Sequence, residues 1–229
     1  MRYRLVVLDI AGTTVADPGL VARAFVEAMA AAGCRIEEAA VRPLMGYRKP
    51  QAIAQLLGRS EDDALVEQVH ADFVARMLEC YRSGPGIEPL PGAEALFEQL
   101  RAQGLRIGLD TGFSRDIAEV IIQRLGWQGR IDAFVASDEV PAGRPAPYMI
   151  QRLMQLLDVT DAGQVVKVGD TEVDVNEGRN AGVGLTVAVT TGAFSRAELL
   201  PYQPDHIIDH LQQLPALLGL PIAVEETAA

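Results

Sequence analysis

The 229 residues include only two cysteines, Cys34 and Cys80. They lie far apart and match no metal-ligand spacing. Each is expected to be a plain buried or half-buried thiol, in keeping with a reducing, cytoplasmic setting. Long apolar runs are also missing: charges or glycines interrupt every stretch well short of the ~18 residues that would suggest a membrane span. The chain enters a strand within a few residues of Met1, which leaves no room for a signal peptide. Positive charge is scarce, with 20 Lys and Arg against 31 Asp and Glu and a net charge of −11. Such a balance argues against nucleic acid and anionic membranes as partners. It also means that a site for an anionic substrate must supply its own positive charge, from a metal ion and a few basic residues. No internal repeat, low-complexity segment or disordered stretch is evident, apart from a loose tail expected over Glu225–Ala229.

Against these absences stands a chain long enough for one sizeable core plus a lid, with hydrophobic residues making up 49% of it. Short apolar runs that do not alternate read as buried parallel strands: Leu5–Leu8, Arg106–Leu109, Ala133–Ala136, Val165–Val168 and Leu185–Val189. Helical patterns fall between the later ones, around Arg115–Leu125, Pro147–Leu157 and Glu172–Asn180, with another near Ala93–Arg101. This alternation predicts an α/β fold, a doubly wound Rossmann-like parallel sheet with helices on both faces. The interval after the first strand breaks the rhythm, carrying only helical patterns over Leu20–Ala32, Lys49–Leu57 and Glu61–Tyr81. Gly84-Pro85-Gly86 and Pro89-Leu90-Pro91-Gly92 then punctuate the return. The expected organisation is a catalytic core of residues 1–16 and 88–229 and an inserted α-helical cap of residues 17–87.

The residues that carry chemistry sit at predicted strand ends, where an open α/β sheet binds its ligands. Asp9 ends the first strand in Asp9-Ile10-Ala11-Gly12-Thr13-Thr14. Asp170 ends the fourth in Gly169-Asp170-Thr171-Glu172-Val173-Asp174. Two carboxylates delivered to one edge can share a hard cation, and magnesium favours a few carboxylate oxygens, waters and a substrate phosphate. A carboxylate beside that metal can also attack phosphorus. Thr111-Gly112 adds a hydroxyl and backbone donors near a helix start, and Arg144 a fixed cation for developing phosphoryl charge. Each piece alone is also a common turn former, cap or surface charge. It is the set, in this order along the strands, that is specific.

With these residues in view, the chain resembles the haloacid dehalogenase superfamily along essentially its whole length, and within it the phosphonoacetaldehyde hydrolases, or phosphonatases. The matching stretches are Asp9–Val15, Val140–Met149, and Lys167–Thr171 running on to Glu177-Gly178-Arg179-Asn180-Ala181-Gly182. The resemblance implies Asp9 as nucleophile, with Lys49, Thr111 and Arg144 also catalytic. It implies Mg2+ held by Asp9, the Ala11 carbonyl and Asp170, with Asp174 close behind. Thr13, Gly112 and Arg48 are assigned to binding a small anionic phosphonate or phosphate substrate. Nothing in the sequence excludes a homodimer.

Ala11 departs from the phosphatases of this superfamily, which usually carry there a second aspartate that protonates the leaving group. For an alkoxide leaving group that loss should cost roughly 10²–10⁴-fold. Phosphonatases avoid the need: a cap lysine forms an imine with the substrate aldehyde, and the imine takes the electrons of the broken C–P bond. Lys49, in Met45-Gly46-Tyr47-Arg48-Lys49, matches that lysine, and burial with a neighbouring cation such as Arg48 would lower its pKa. The plainer role for Lys49 is to grip an anion. Ala52 replaces a histidine of the phosphonatase pattern, and Ala16–Leu20 also differs from it. The alternatives are a phosphomonoesterase of the same fold, a 2-haloacid dehalogenase, against which Asp170 and Asp174 weigh, and a non-catalytic binding or regulatory protein. His70, His206 and His210 are assigned no chemistry, and Trp127 is assigned to packing.

Overall fold

The computed structural model describes residues 2–84 and 87–221, so the tail at Glu225–Ala229 lies outside the described residues. Six strands form one sheet: β1 (Leu5–Asp9), β2 (Arg106–Thr111), β3 (Ala133–Ala136), β4 (Val165–Gly169), β5 (Leu185–Val189) and β6 (His206–Ile208). Their spatial order is β3-β2-β1-β4-β5-β6 and every neighbouring pair is parallel. Helices α1 (Leu20–Ala31), α2 (Glu38–Val41), α3 (Lys49–Leu57) and α4 (Ala64–Ser83) all fall between β1 and β2. Then follow α5 (Ala93–Ala102), α6 (Arg115–Arg124), α7 (Tyr148–Leu156), α8 (Glu172–Ala181), α9 (Arg196–Leu199) and α10 (Leu214–Leu217). The fold is α/β, doubly wound and Rossmann-like.

The lack of alternation in β1 has a direct cause. Successive side chains of a strand point to opposite faces, and here both faces are covered. Val6 and Leu8 enter a large core shared with α1, α4, α5 and α6, while Leu5 and Val7 enter a smaller one with Met149, Ile150 and Leu153 of α7. Each such side chain, fully buried, contributes roughly 1.5–3 kcal/mol. β1 is central, and the chain winds outward from it first to β2 and β3 and then, on its other side, to β4 and β5. A crevice opens at such a reversal point, at the carboxyl ends of the strands.

The chain leaves for the helical insertion and returns from it side by side. The Ala16 N–H donates to the Glu88 carbonyl at 3.0 Å, the Leu90 N–H donates to the Thr14 carbonyl at 2.8 Å, and Val15 bridges Pro89. The far end of α4 is fixed to the core, packing on α6, where Arg124 Nη1 donates to the carbonyls of Tyr81 (2.8 Å) and Arg82 (2.6 Å). Those are last-turn carbonyls left without helical partners.

The elements differ from the expectation in small ways. α4 begins at Ala64 rather than Glu61 because the Asp63 side chain caps it, accepting from the Leu65 N–H at 2.8 Å. β6 was not anticipated: it is three residues long, begins at the exposed His206 and is flanked by Asp205 and Asp209. Cys80 is exposed rather than buried, on the outer face of α4, while Cys34 is half-buried. Trp127 packs edge-on against Phe97 and donates to Glu94 at 2.9 Å. Among the described residues no helix is long and apolar enough to cross a membrane.

Candidate active site

Asp9 is the last residue of β1 and is buried. Beyond it the chain folds back at once, with the Thr14 and Val15 N–H groups donating to the Ile10 carbonyl at 2.9 and 2.8 Å and the Gly12 N–H to the Val15 carbonyl at 2.8 Å. This turn sets Ala11 beside Asp9 on the wall of a cavity of ≈ 20 Å³. Lys49, Thr111, Gly112, Arg144 and Asp170 line the same cavity, with Val21, Met45 and Phe113 as its apolar wall. A volume of that size has room for about one water molecule.

Arg144 lies beneath, fully buried, and joins two carboxylates: its Nη2 is 2.8 Å from Asp9 and its Nη1 contacts Asp174. Asp174 belongs to the first turn of α8, where its Oδ2 accepts from the Thr171 hydroxyl at 2.5 Å and the Thr171 N–H at 3.2 Å. Both Asp174 oxygens are therefore engaged, and it holds Arg144 rather than facing the cavity. Thr13 donates to Asp170 Oδ1 at 3.1 Å and the Ala193 N–H donates to its Oδ2 at 2.7 Å. Thr13 thus steadies a carboxylate and does not line the cavity. Arg48 is also absent from the wall: it precedes α3, its Cβ lies against Gly143 and its guanidinium reaches within 4.0 Å of Glu61.

Three further charges were not foreseen. Lys167, in the middle of β4, is fully buried with its Nζ 2.5 Å from both oxygens of Asp110 and 3.1 Å from Asp174 and Glu177. A lysine inside a strand buried on both faces can only be there with anions around it. That was the available signal, hidden because the run Val165–Val168 reads as a plain apolar strand. One oxygen each from Asp9, Asp110 and Asp174 come within 4.8 Å of one another. Arg144 and Lys167 already stand among those three.

Charge and burial set the protonation states. Burial pushes Asp9 up to about 6, aided by Asp174 and opposed by Arg144. Asp170 is driven well above the carboxylate range by burial and then by the charge of Asp9. Burial would raise Asp174 too, but Arg144 and Lys167 outweigh it and hold it low. Lys49 is lowered to about 8, chiefly by burial and then by Arg144; Asp9 and Asp17 pull the other way. The neighbouring cation is therefore Arg144, not Arg48. The Lys49 Nζ sits 5.0 Å from the Phe113 ring and 5.6 Å from Phe25, and donates to the Tyr47 carbonyl at 3.4 Å.

The oxygen set fits a divalent cation. Asp9 and Asp170 are both buried on this wall, and the charge of Asp9 adds to burial in raising Asp170, a cost that a cation held by the two would reverse. The Ala11 carbonyl, on the same wall, accepts no hydrogen bond among the described residues. All three donors are hard oxygens, as magnesium requires.

The helical insertion presses on this cavity through glycines. A Cβ on Gly112 would stand 2.5 Å from the Tyr47 carbonyl oxygen and 2.7 Å from that of Gly46. One on Gly46, which has φ +86°, would stand 2.5 Å from the Thr171 hydroxyl. Only glycine lets the segment Met45–Arg48 seat so closely.

The parallel sheet thus gathers two carboxylates, a threonine and a buried arginine at its carboxyl edge, under a helical insertion. Residues 3–182 match the family model of the haloacid dehalogenase-like hydrolases, and the chain belongs to that family. It is 33% identical to a phosphonoacetaldehyde hydrolase of Bacteroides fragilis, over 96% of this chain and 97% of that protein. It is 34% identical to another of Syntrophobacter fumaroxidans, over 91% and 81%. Among solved structures it is similar to a phosphonoacetaldehyde hydrolase-like protein of Oleispira antarctica, with a TM-score of 0.85, 22% identity and 96% and 92% coverage. A putative phosphoglycolate phosphatase of Lactobacillus delbrueckii shares the fold at a TM-score of 0.80 and 21% identity, over 96% and 100%.

Proposed function

We propose that this hydrolase cleaves the carbon–phosphorus bond of phosphonoacetaldehyde or a close analogue, with Asp9 as nucleophile, Lys49 as imine-forming amine and residues 17–87 as a cap that closes over them. The observation that carries the reading is the placement of Lys49. It is buried, flanked by two aromatic rings and lowered to about 8, on the wall of the cavity that holds Asp9. Where a leaving-group acid would stand there is Ala11. A lysine meant only to grip an anion gains from staying charged and solvated; a lysine that must add to a carbonyl gains from being free of its proton.

In this reading the Lys49 amine condenses with the substrate aldehyde, releasing water and leaving a protonated imine. The Asp9 carboxylate then attacks phosphorus in line. The C–P bond breaks, its electron pair moves into the carbon–carbon bond of an enamine, and the imine nitrogen becomes neutral. Protonation at carbon and hydrolysis release the aldehyde and restore the amine. Water takes the phosphoryl group from Asp9. Mg2+ bound by Asp9, the Ala11 carbonyl and Asp170 would supply electrostatic stabilisation of the phosphoryl oxygens. Arg144 holds Asp9 in place and adds positive charge below it, and Thr111 with the Gly112 backbone receives the phosphoryl oxygens. The anionic substrate, no nucleic acid and no membrane suit a chain of net charge −11 whose cavity carries two cations of its own, Lys49 and Arg144.

The test is a phosphate-release assay of phosphonoacetaldehyde beside common phosphomonoesters, with borohydride added in a parallel arm. C–P cleavage and a reduced adduct on Lys49, absent from Lys49→Ala, are expected. Preference for phosphomonoesters with no adduct would make Lys49 a plain anion grip and the protein a phosphomonoesterase.

A further inference from the structure

We propose that Arg42, far from the cavity, is a positioning residue that ties the closed cap to the metal carboxylate Asp170. The inference rests on the reading above in taking Asp170 as a magnesium ligand and residues 17–87 as a cap that closes.

Arg42 follows α2 in the insertion, in the short turn leading to Met45 and Gly46 on the cavity wall. Its guanidinium reaches across to the core. Nη1 and Nη2 meet the two oxygens of Glu198 at 2.8 and 2.7 Å, and Nε donates to the Ala193 carbonyl at 3.0 Å. All three nitrogens of the planar fork are thus engaged, with a specificity of direction that an ammonium lacks. Glu198 is itself held, accepting from the Ser195 N–H at 2.8 Å and the Ser195 hydroxyl at 2.5 Å.

Ala193 is the joint. Its carbonyl takes Arg42 from the cap, and its N–H gives to Asp170 Oδ2. Two residues earlier, the Thr191 hydroxyl donates to the Gly12 carbonyl at 2.7 Å, within the turn that follows Asp9. The segment from Thr191 to Ser195 therefore touches the metal carboxylate, the nucleophile loop and the cap at once. When the cap closes, Arg42 holds this segment where the Ala193 N–H fixes one Asp170 oxygen and leaves the other to Thr13 and the cation. When the cap opens, that grip is released. Closure and metal geometry become one event.

The pair is solvent-exposed, so its effect is small by nature, about two- to fivefold. Two measurements without turnover decide the matter: amide hydrogen exchange of the segment containing Ala193, and calorimetric titration with Mg2+ alone. In Arg42→Ala, exchange should quicken and magnesium affinity fall, each about two- to fivefold, with the melting temperature close to that of the parent. Glu198→Ala should do the same, and the double variant should do no more than either single one. Arg42→Lys, which keeps the charge and loses the fork, should fall between. Arg59→Ala removes a pair with Asp63 that stays within the cap and should change neither quantity. Unchanged exchange or unchanged magnesium affinity in a folded Arg42→Ala protein overturns the proposal. A parent that binds no Mg2+ removes the functional reading instead, and exchange alone then decides whether Arg42 holds the segment.

Discussion

Ala11 and Lys49 carry the sharpest consequences at the scale of single residues. A carboxylate at position 11 would stand next to Asp9, where the substrate anion must bind, and would favour the protonated form of Lys49. Ala11→Asp should therefore lower phosphonoacetaldehyde cleavage and raise phosphomonoester hydrolysis, by up to about 10² in either direction. Steady-state kinetics on both substrates check it, and a variant faster on the phosphonate would contradict the imine route. The lowered pKa of Lys49 fixes a sign as well. With a value of about 8, roughly one amine in ten is free at pH 7 and most are free above pH 9. Borohydride trapping at limiting aldehyde should climb through a midpoint near 8; a midpoint near 10 would mean an ordinary, solvated lysine. Asp9, Lys49, Thr111, Arg144 and Asp170 could be read from the sequence because each ends a strand or follows a recognisable segment, and all five line the cavity. Lys167, Asp110 and Glu177 could not, since nothing in a linear pattern tells which buried acid will meet a lysine across strands. Arg48 was misplaced for a related reason: adjacency to Lys49 in sequence says nothing about which way a residue before a helix points.

Among the elements, the segment Met45–Tyr47 seats against Gly112 beside the cavity, and its seat has no slack. A methyl on Gly112 would run into the Tyr47 carbonyl, a backbone atom that cannot swing aside. Gly112→Ala should hold the cap open by a fraction of an ångström to an ångström. Misplacement on that scale costs on the order of 10²-fold. The expected result is a fall in turnover of that size with the melting temperature nearly unchanged, measured by kinetics and thermal unfolding together; full activity would show that closure does not need this contact. The elements themselves were largely legible, because buried parallel strands are apolar runs and amphipathic helices keep their period. β6 escaped because three residues with a histidine among them carry too little pattern, and the helix start at Ala64 escaped because a cap residue, not hydrophobicity, sets it.

For the molecule as a whole, the proposed cation is also a structural weight. Asp9 and Asp170 repel one another in a buried site, and a ligand that binds only the folded chain stabilises it by mass action. Magnesium at about 100 times its dissociation constant should add ~2.7 kcal/mol. For a chain of this size that is a rise in melting temperature of roughly 5–10 °C. Asp170→Asn should abolish most of the rise, and a parent whose melting point ignores both Mg2+ and chelator would leave the carboxylate pair without its cation. The insertion departs at Ala16 and returns at Glu88, and those two residues are hydrogen-bonded to each other. The strand ends bearing Asp9, Thr111 and Asp170 would keep their connections if everything between those two points were exchanged for another piece of chain. Such an arrangement behaves as a socket: Asp9, Thr111, Arg144 and Asp170 stay with the permanent part, and Lys49 leaves with the piece that is exchanged.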